Sequence, residues 1–127
     1  MIVRSVDDVA GTDRDVAGAG WRSRRLLLRS DGMGFSLHDT TVEAGVELTL
    51  EYRHHLEACY VVSGGVELED LTSGQRHAVK PGAAYALDQH DRHVLRTPDG
   101  ARLVCVFSPA LTGTERHVGG GYEPSED

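Results

Sequence analysis

The chain has 127 residues, 39% of them hydrophobic and 26% charged, with a formal net charge of −7. This length supports one domain with one core, and the negative charge argues against binding nucleic acid or an anionic membrane through bulk electrostatics. No apolar run approaches the roughly 20 residues that span a bilayer and the acidic N-terminus lacks a signal peptide's apolar core, so we expect a cytoplasmic protein without nucleic-acid or membrane partners.

Short runs of alternating apolar and polar residues, separated by turn residues, predict an all-β sandwich or barrel. Residues 6–16 have room for one or two helical turns, and the Gly-rich, acidic end predicts a flexible tail over 118–127 after a domain over 1–117. The predicted strands are Trp21–Leu28, Phe35–Val42, Val46–Tyr52, Glu57–Val62, Val66–Leu71, Arg76–Val79, Ala83–Leu87, His93–Arg96 and Arg102–Phe107.

Two blocks with regular glycine spacing stand out. In the first, which begins at Gly45, six residues separate Glu57 from Gly64, and the second runs from Gly74 to Tyr85. These spacings resemble the two conserved blocks of the cupin superfamily, G(X)5HXH(X)3-4E(X)6G and G(X)5PXG(X)2H(X)3N. The resemblance implies a single-domain cupin, a double-stranded β-helix or jelly-roll barrel.

The histidines that bind metal in most cupins are missing from these blocks. In the overlay, Glu51 and Arg53 occupy the two His positions of the first block, Glu57 keeps the Glu position, and Tyr85 occupies the His position of the second block. The metal site must therefore be rebuilt from other residues or abandoned.

A rebuilt site is available from Glu57, Tyr85 and His93. Only residues 88–92 separate the last two strands concerned, so we expect Tyr85 and His93 on adjacent antiparallel strands with Glu57 across the barrel. Such a set resembles the 2-His-1-carboxylate triad with Tyr in place of one His, which suits Fe(II). A cupin that has lost its metal is the alternative. The cost of burying Glu57 without a partner favours the metal.

The two cysteines, Cys59 and Cys105, lie in apolar runs without CxxC spacing. From the residues alone we expect reduced, buried thiols that pack as small hydrophobic groups, because disulfides are rare in the cytosol.

Several stretches closely resemble the ectoine synthase family, including Trp-Arg-Ser-Arg-Arg-Leu-Leu-Leu at 21–28 and His-Leu-Glu-Ala-Cys-Tyr at 55–60. The similarity extends over 4–14, 31–41, 85–93 and 103–115, to about His117. It implies an iron-dependent cupin that forms a head-to-tail homodimer. Because the implied chemistry exchanges no electrons, we expect other divalent metals to replace Fe(II) in part. The implied reaction is a hydro-lyase step that cyclises N-γ-acetyl-L-2,4-diaminobutyrate to ectoine, a compatible solute made under osmotic stress.

The resemblance assigns roles to individual residues, most of which would otherwise be interpreted as core aromatics, an inert thiol or surface groups. The resemblance implies no functional residue beyond His117. The implied residues are Glu57, Tyr85 and His93 for the metal, Trp21, Arg24, Thr40, Cys105 and Phe107 for substrate binding, and Tyr52, Glu115 and His117 for catalysis.

Two other functions are considered. A cupin Fe(II) dioxygenase is disfavoured because the usual pair of His ligands is missing. A non-catalytic cupin that binds a small ligand is disfavoured because such domains usually accompany a DNA-binding module. Among the arginines near Trp21, strict alternation places Arg22 and Arg24 on the same side, so a bulge near Ser23 is expected if Arg24 is to share a pocket with Trp21.

Overall fold

The computed structural model describes residues 1–125, and residues 126 and 127 of the predicted tail lie outside that range. Strands dominate, and the only α-helix among the described residues, α1, spans Val6–Val9 with Ser5 as its N-cap. Within residues 1–125 no helix has the length and apolarity that crossing a membrane requires. The strands are β1 (Asp15–Gly18), β2 (Trp21–Leu27), β3 (Ser36–Val42), β4 (Val46–Leu50), β5 (Leu56–Gly64), β6 (Val66–Asp70), β7 (Arg76–Val79), β8 (Ala84–Leu87), β9 (His93–Thr97), β10 (Ala101–Ser108), β11 (His117–Val118) and β12 (Gly121–Tyr122).

Two antiparallel sheets form the predicted cupin barrel. The larger has the order β1-β2-β3-β10-β5-β8 and the smaller the order β4-β9-β6-β7. All nine predicted strands are present. The short strands β1, β11 and β12 were not predicted, because two to four residues are too few to display an alternating pattern.

Strand β5 shows how the alternation positions side chains. Glu57, Cys59 and Val61 are buried, whereas Leu56 and Tyr60 are exposed. Because successive side chains point to opposite faces, Glu57, the acid of the first cupin block, lies in the interior together with Cys59 and Val61. Complete burial of Val61 contributes roughly 1.5–3 kcal/mol to stability.

The backbone conformation explains why the first cupin block ends in a glycine, Gly64. Gly64 has φ of 76°, and a Cβ there would collide with the carbonyl oxygen of Gly100. Both the positive φ and the close approach of the two chain segments require glycine. The motif therefore marks the turn at which β5 leaves the barrel wall.

The C-terminal hairpin of β11 and β12 packs against one end of the barrel. The amide of Glu51 donates to the carbonyl of Gly120 at 2.9 Å, and Tyr122 is buried. A side chain at Gly121 would collide with the carbonyl of Glu51, so this approach also requires glycine. The predicted boundary after His117 falls inside this hairpin, and the flexibility of the tail in solution stays a prediction.

Candidate active site

An inner cavity of about 50 Å³ lies between the facing sheets. Its wall combines aromatic rings, two thiols and a few polar groups, and it contains eight of the eleven residues predicted for the site. Those eight are Trp21, Thr40, Tyr52, Glu57, Tyr85, Cys105, Phe107 and His117. Arg24, His93 and Glu115 do not line this cavity.

Glu57 is the carboxylate of the cavity. Burial raises its pKa to about 7, although the thiols of Cys59 and Cys105 hydrogen-bond to it and act in the opposite direction. A buried carboxylate with no neighbouring cation is unstable in its charged form. A metal ion would supply the missing positive charge.

Tyr85 lies beside Glu57 rather than opposite it. Strand β8 pairs with β5, with Tyr85 directly across from Cys59. Burial raises the pKa of Tyr85 well above its usual value, and the neighbouring Cys59 and Glu57 add to this effect. The phenol is therefore neutral unless a cation approaches its oxygen.

His93 comes from the other sheet. Strand β9 pairs with β4 and β6 and not with β8, so the expectation that Tyr85 and His93 lie on adjacent strands was wrong. The connection at residues 88–92 crosses from one sheet to the other instead of forming a hairpin. His93 lines a second cleft, of about 450 Å³, at the open edge between the sheets, and Tyr85 lines both this cleft and the inner cavity.

One ring nitrogen of His93 is available as a ligand. Its Nδ1 hydrogen-bonds to the carbonyl of Asp91 at 2.8 Å, whereas Nε2 is buried without a hydrogen-bond partner among the described residues. Burial lowers the pKa of His93, which keeps the imidazole neutral. A neutral histidine with an unpaired buried nitrogen has the properties of a metal ligand.

Cys59 and Cys105 face each other across β5 and β10, with their Sγ atoms 3.2 Å apart and no disulfide. Together with Glu57 they form a group whose potential ligand atoms all lie within 4.8 Å of one another. Their proximity makes the thiols a second candidate ligand set beside the O/O/N residues, but burial raises the pKa of Cys59 well above its usual value, which disfavours the thiolate that binds a metal.

Tyr52 and His117 form a hydrogen-bonded pair at the hairpin side of the cavity, with the Tyr52 hydroxyl 3.2 Å from Nε2 of His117. Burial raises the pKa of Tyr52, and burial with the charge of Arg25 lowers the pKa of His117. Both groups are therefore neutral. The ring of Tyr122 stacks on Tyr52 with centroids 5.7 Å apart, and Trp21 packs on His117 at 5.4 Å.

The arginine that faces this region is Arg25 rather than Arg24. Arg24 binds Asp39 at 3.1 Å on the opposite side of β2, whereas Arg25 lines a cleft that adjoins the inner cavity and shares Trp21, His117 and Tyr122 with it. The predicted bulge near Ser23 does not occur. The register shift in β2 lies between Arg25 and Leu27, so strict alternation from Trp21 reaches Ser23 and Arg25.

Glu115 lines the same adjoining cleft but uses its carboxylate within its own loop. It accepts hydrogen bonds from the backbone N–H groups of Thr112 and Gly113 at 2.9–3.1 Å. Burial tends to raise the pKa of Glu115, but these bonds and one with Ser125 together lower it to about 2. A carboxylate held in this way is a weak proton acceptor.

Apart from Cys59 and apolar side chains, four residues at or next to the cavity were not predicted for the site: Ser23, Arg25, His38 and Tyr122. Strand parity identifies Ser23 and Arg25 once Trp21 is known to point inward, and it identifies His38 from Thr40. No sequence pattern identifies Tyr122, because its contacts depend on how the tail folds back.

Comparisons with known proteins identify one family and its fold. The model of the ectoine synthase family matches residues 1–126. An L-ectoine synthase from Desulfosudis oleivorans is 53% identical over 129 residues, which covers all of both chains. The crystal structure of ectoine synthase from P. lautus superposes with a TM-score of 0.85 and 46% identity, over 89% of this chain and 81% of that chain. An RmlC-like cupin from Shewanella frigidimarina, 22% identical with a TM-score of 0.64 over 76% of this chain and 82% of its own, shares the fold.

Proposed function

The chain belongs to the ectoine synthase family of hydro-lyases, and from that premise we propose that the inner cavity is where N-γ-acetyl-L-2,4-diaminobutyrate is closed into the ring of ectoine. The single observation that carries the proposal is that Glu57, Tyr85, Tyr52 and His117 converge on one small aromatic cavity. Confinement in such a cavity would fold a flexible substrate toward its cyclic form and limit the water that would favour hydrolysis.

The reaction has three chemical requirements. The substrate's α-ammonium group must lose a proton, its nitrogen must form a bond to the acetamide carbon, and the carbonyl oxygen must leave as water. One C–N bond forms, a C=O unit is replaced by C=N, and no electrons are exchanged. A base, an acid and a group that stabilises charge on the carbonyl oxygen are therefore needed.

For the charge on oxygen we propose a divalent metal held by Glu57, Tyr85 and His93. Two features support this set: Nε2 of His93 has no hydrogen-bond partner among the described residues, and the carboxylate of Glu57 is buried with only thiols as hydrogen-bond partners. The family resemblance favours Fe(II). When bound, such an ion supplies a Lewis acid, a role that other divalent metals can share. We expect the thiols of Cys59 and Cys105 to remain neighbours rather than ligands.

For proton transfer we propose His117 as the base and Tyr52 as the acid. Both are neutral in the cavity and hydrogen-bond to each other at 3.2 Å, so the neutral imidazole can take a proton and the phenol can give one. Glu115 is less suited to either role because its carboxylate is committed to the backbone of its loop.

For the substrate's carboxylate we propose Arg25. The residue is 2% exposed and lies next to Trp21 and His117 in the adjoining cleft. The planar fork of arginine matches a carboxylate in two hydrogen bonds. Trp21, Thr40, Cys105 and Phe107 would then enclose the remainder of the molecule.

We further propose a homodimer in the cytoplasm that makes a compatible solute during osmotic stress. The outer face of β5 is compatible with a subunit interface, since Leu56, Tyr60 and Val62 are 40–48% exposed in a row along one strand. An exposed apolar row of this kind often marks a protein contact. Light scattering during gel filtration tests the dimer.

The decisive experiment is mass spectrometry of the product after incubation of the Fe(II)-loaded protein with N-γ-acetyl-L-2,4-diaminobutyrate under nitrogen. We expect ectoine without oxygen, and partial activity with Co(II) or Zn(II). A strict need for oxygen would favour a dioxygenase, and binding without conversion would favour a non-catalytic cupin.

A further inference from the structure

The side chain of Arg25 is a buried cation whose hydrogen bonds go to neutral groups. Its Nε–H donates to Oγ of Ser23 at 3.0 Å, and a terminal nitrogen donates to the hydroxyl of Tyr122 at 3.0 Å. Among residues 1–125 no carboxylate pairs with it, whereas neighbouring Arg24 pairs with Asp39. A buried guanidinium is costly without an anion. Its orientation before the anion arrives must therefore come from these neutral partners.

The proton positions in the surrounding hydrogen bonds follow from Arg25. Because Nε–H can only donate, Oγ of Ser23 accepts from Arg25 and also lies 3.1 Å from Nδ1 of His38. A hydroxyl oxygen can accept twice, so these contacts alone fit either tautomer of His38. The positive charge of Arg25 favours the tautomer that turns the lone pair of Nδ1, rather than an N–H, toward it. We therefore expect the ring hydrogen on Nε2, which donates to Oγ of Ser36 at 3.0 Å, the same oxygen that accepts from the backbone amide of Leu111 at 3.2 Å.

We propose that His38 is a positioning residue for this reaction: held between Ser23 and Ser36, its ring fixes the guanidinium of Arg25 in the orientation that receives the substrate's carboxylate. The inference rests on the proposed function, in which Arg25 binds that carboxylate. His38 is 1% exposed, and its ring packs on Phe107 with centroids 5.1 Å apart. Packing and both ring nitrogens therefore hold it in place together.

This positioning role requires a neutral imidazole in which Nδ1 accepts a hydrogen bond and Nε2 donates one. A protonated imidazole would present a donor to Ser23, whose oxygen would then lose its acceptor for the hydroxyl hydrogen, and it would place a second positive charge beside Arg25. Burial and the charge of Arg25 both oppose that state and lower the pKa of His38 to about 3. The hydrogen-bond directions derived above therefore persist at neutral pH.

Steady-state kinetics of His38→Phe test the inference. Phe keeps the packing on Phe107 but removes both hydrogen bonds, so we expect KM for N-γ-acetyl-L-2,4-diaminobutyrate to rise about 10- to 100-fold, with a smaller change in kcat. His38→Asn, which can still accept from Ser23, should recover part of the loss. The matched control is His77→Phe, at an exposed histidine of β7, which should behave as wild type.

A substrate analogue separates positioning from a general structural effect. N-acetyl-1,3-diaminopropane lacks the carboxylate, so its inhibition constant should be the same for wild type and His38→Phe. An equal loss of affinity for the analogue and the substrate would overturn the proposal. If His38→Phe does not fold, Ser23→Ala is measured in the same way, because it removes the hydrogen bonds that connect Arg25 to His38.

Nitrogen-edited NMR gives a readout that does not depend on turnover. We expect His38 as the Nε2–H tautomer, and a slowly exchanging Nε–H of Arg25 that exchanges faster in Ser23→Ala and His38→Phe. The opposite tautomer would overturn the proposal. If wild type fails to convert the substrate, the proposed function fails and this role fails with it. Conversion by wild type with an unchanged KM in His38→Phe overturns the role of His38 alone.

Discussion

Nδ1 of His93 lies 2.8 Å from the carbonyl oxygen of Asp91, and this contact decides which nitrogen of the ring can bind a metal. A carbonyl oxygen only accepts, so Nδ1 carries the hydrogen and Nε2 keeps its lone pair. Nε2 is buried and has no hydrogen-bond partner among the described residues. The backbone beside the ring thus leaves the lone pair of Nε2 available, as the proposed metal set requires.

The metal ligands can be tested by single substitutions. His93→Ala and Glu57→Ala should each lower metal affinity by about tenfold or more while the barrel stays folded, because each removes one ligand and leaves the sheets intact. Metal content after dialysis, measured by plasma mass spectrometry, and the thermal unfolding midpoint are the two readouts.

Cys59→Ser is the matched control for these substitutions. Cys59 is also buried and its sulfur lies within 4.8 Å of a Glu57 carboxylate oxygen, yet we expect Cys59→Ser to keep the metal. Loss of the metal in Cys59→Ser with retention in His93→Ala would show that Glu57, Cys59 and Cys105 form the metal centre instead.

Two neighbouring arginines give opposite predictions. Arg25→Lys should raise KM by about tenfold or more, because a lysine cannot reproduce the planar two-bond contact with a carboxylate. Arg24→Lys should leave KM unchanged and the protein folded, since lysine keeps the positive charge beside Asp39 and Arg102 also binds Asp39, at 2.6 Å. Kinetics and urea unfolding of both variants check this. A larger KM effect in Arg24→Lys would restore Arg24 as the carboxylate anchor.

The parts of the site that could be predicted are those set by strand alternation and motif spacing. Glu57 faces inward because β5 alternates regularly, and the same parity, applied to β2 without an added bulge, selects Arg25. The sheet to which His93 belongs could not be predicted, because residues 88–92 are long enough either to form a hairpin or to cross between sheets. Tyr122 could not be predicted because only tertiary packing holds it against Tyr52.

Ser125 joins the C-terminal segment to the rest of the protein through hydrogen bonds with His55 and Glu115. Oγ of Ser125 lies 2.7 Å from Nε2 of His55, whose Nδ1 has no partner among the described residues. Ser125→Ala would leave both nitrogens of a ring that is 1% exposed without a partner, at a cost of about 1–3 kcal/mol. Hydrogen exchange in residues 117–125 should accelerate. Ser73→Ala, in an exposed turn, is the control, and equal exchange in both variants would contradict the prediction.

The pKa of His38 predicts how stability changes with pH. Burial and Arg25 lower this pKa from 6.5 to about 3, with His55 adding to the effect and Glu115 opposing it. Above pH 6.5 the ring is neutral in both the folded and the unfolded state. Between pH 6.5 and 3 only the unfolded state binds a proton, so the free energy of unfolding falls as the pH falls. A shift of this size corresponds to a loss of about 5 kcal/mol over the full range.

His38→Asn should remove this part of the pH dependence. Because His93 and His117 also have lowered pKa values, the metal-free wild type will lose stability in acid for several reasons, and only the difference from the variant reports on His38. Urea unfolding at several pH values between 7.5 and 4.5 measures it. We expect the stability of wild type minus that of His38→Asn to decrease steadily below pH 6.5, because only wild type must keep this ring neutral. His77→Asn, at an exposed position, should follow wild type. A stability difference between wild type and His38→Asn that stays constant over this range would mean that His38 titrates alike in the folded and unfolded states. The conclusion that its ring is held neutral in the folded protein would then be wrong.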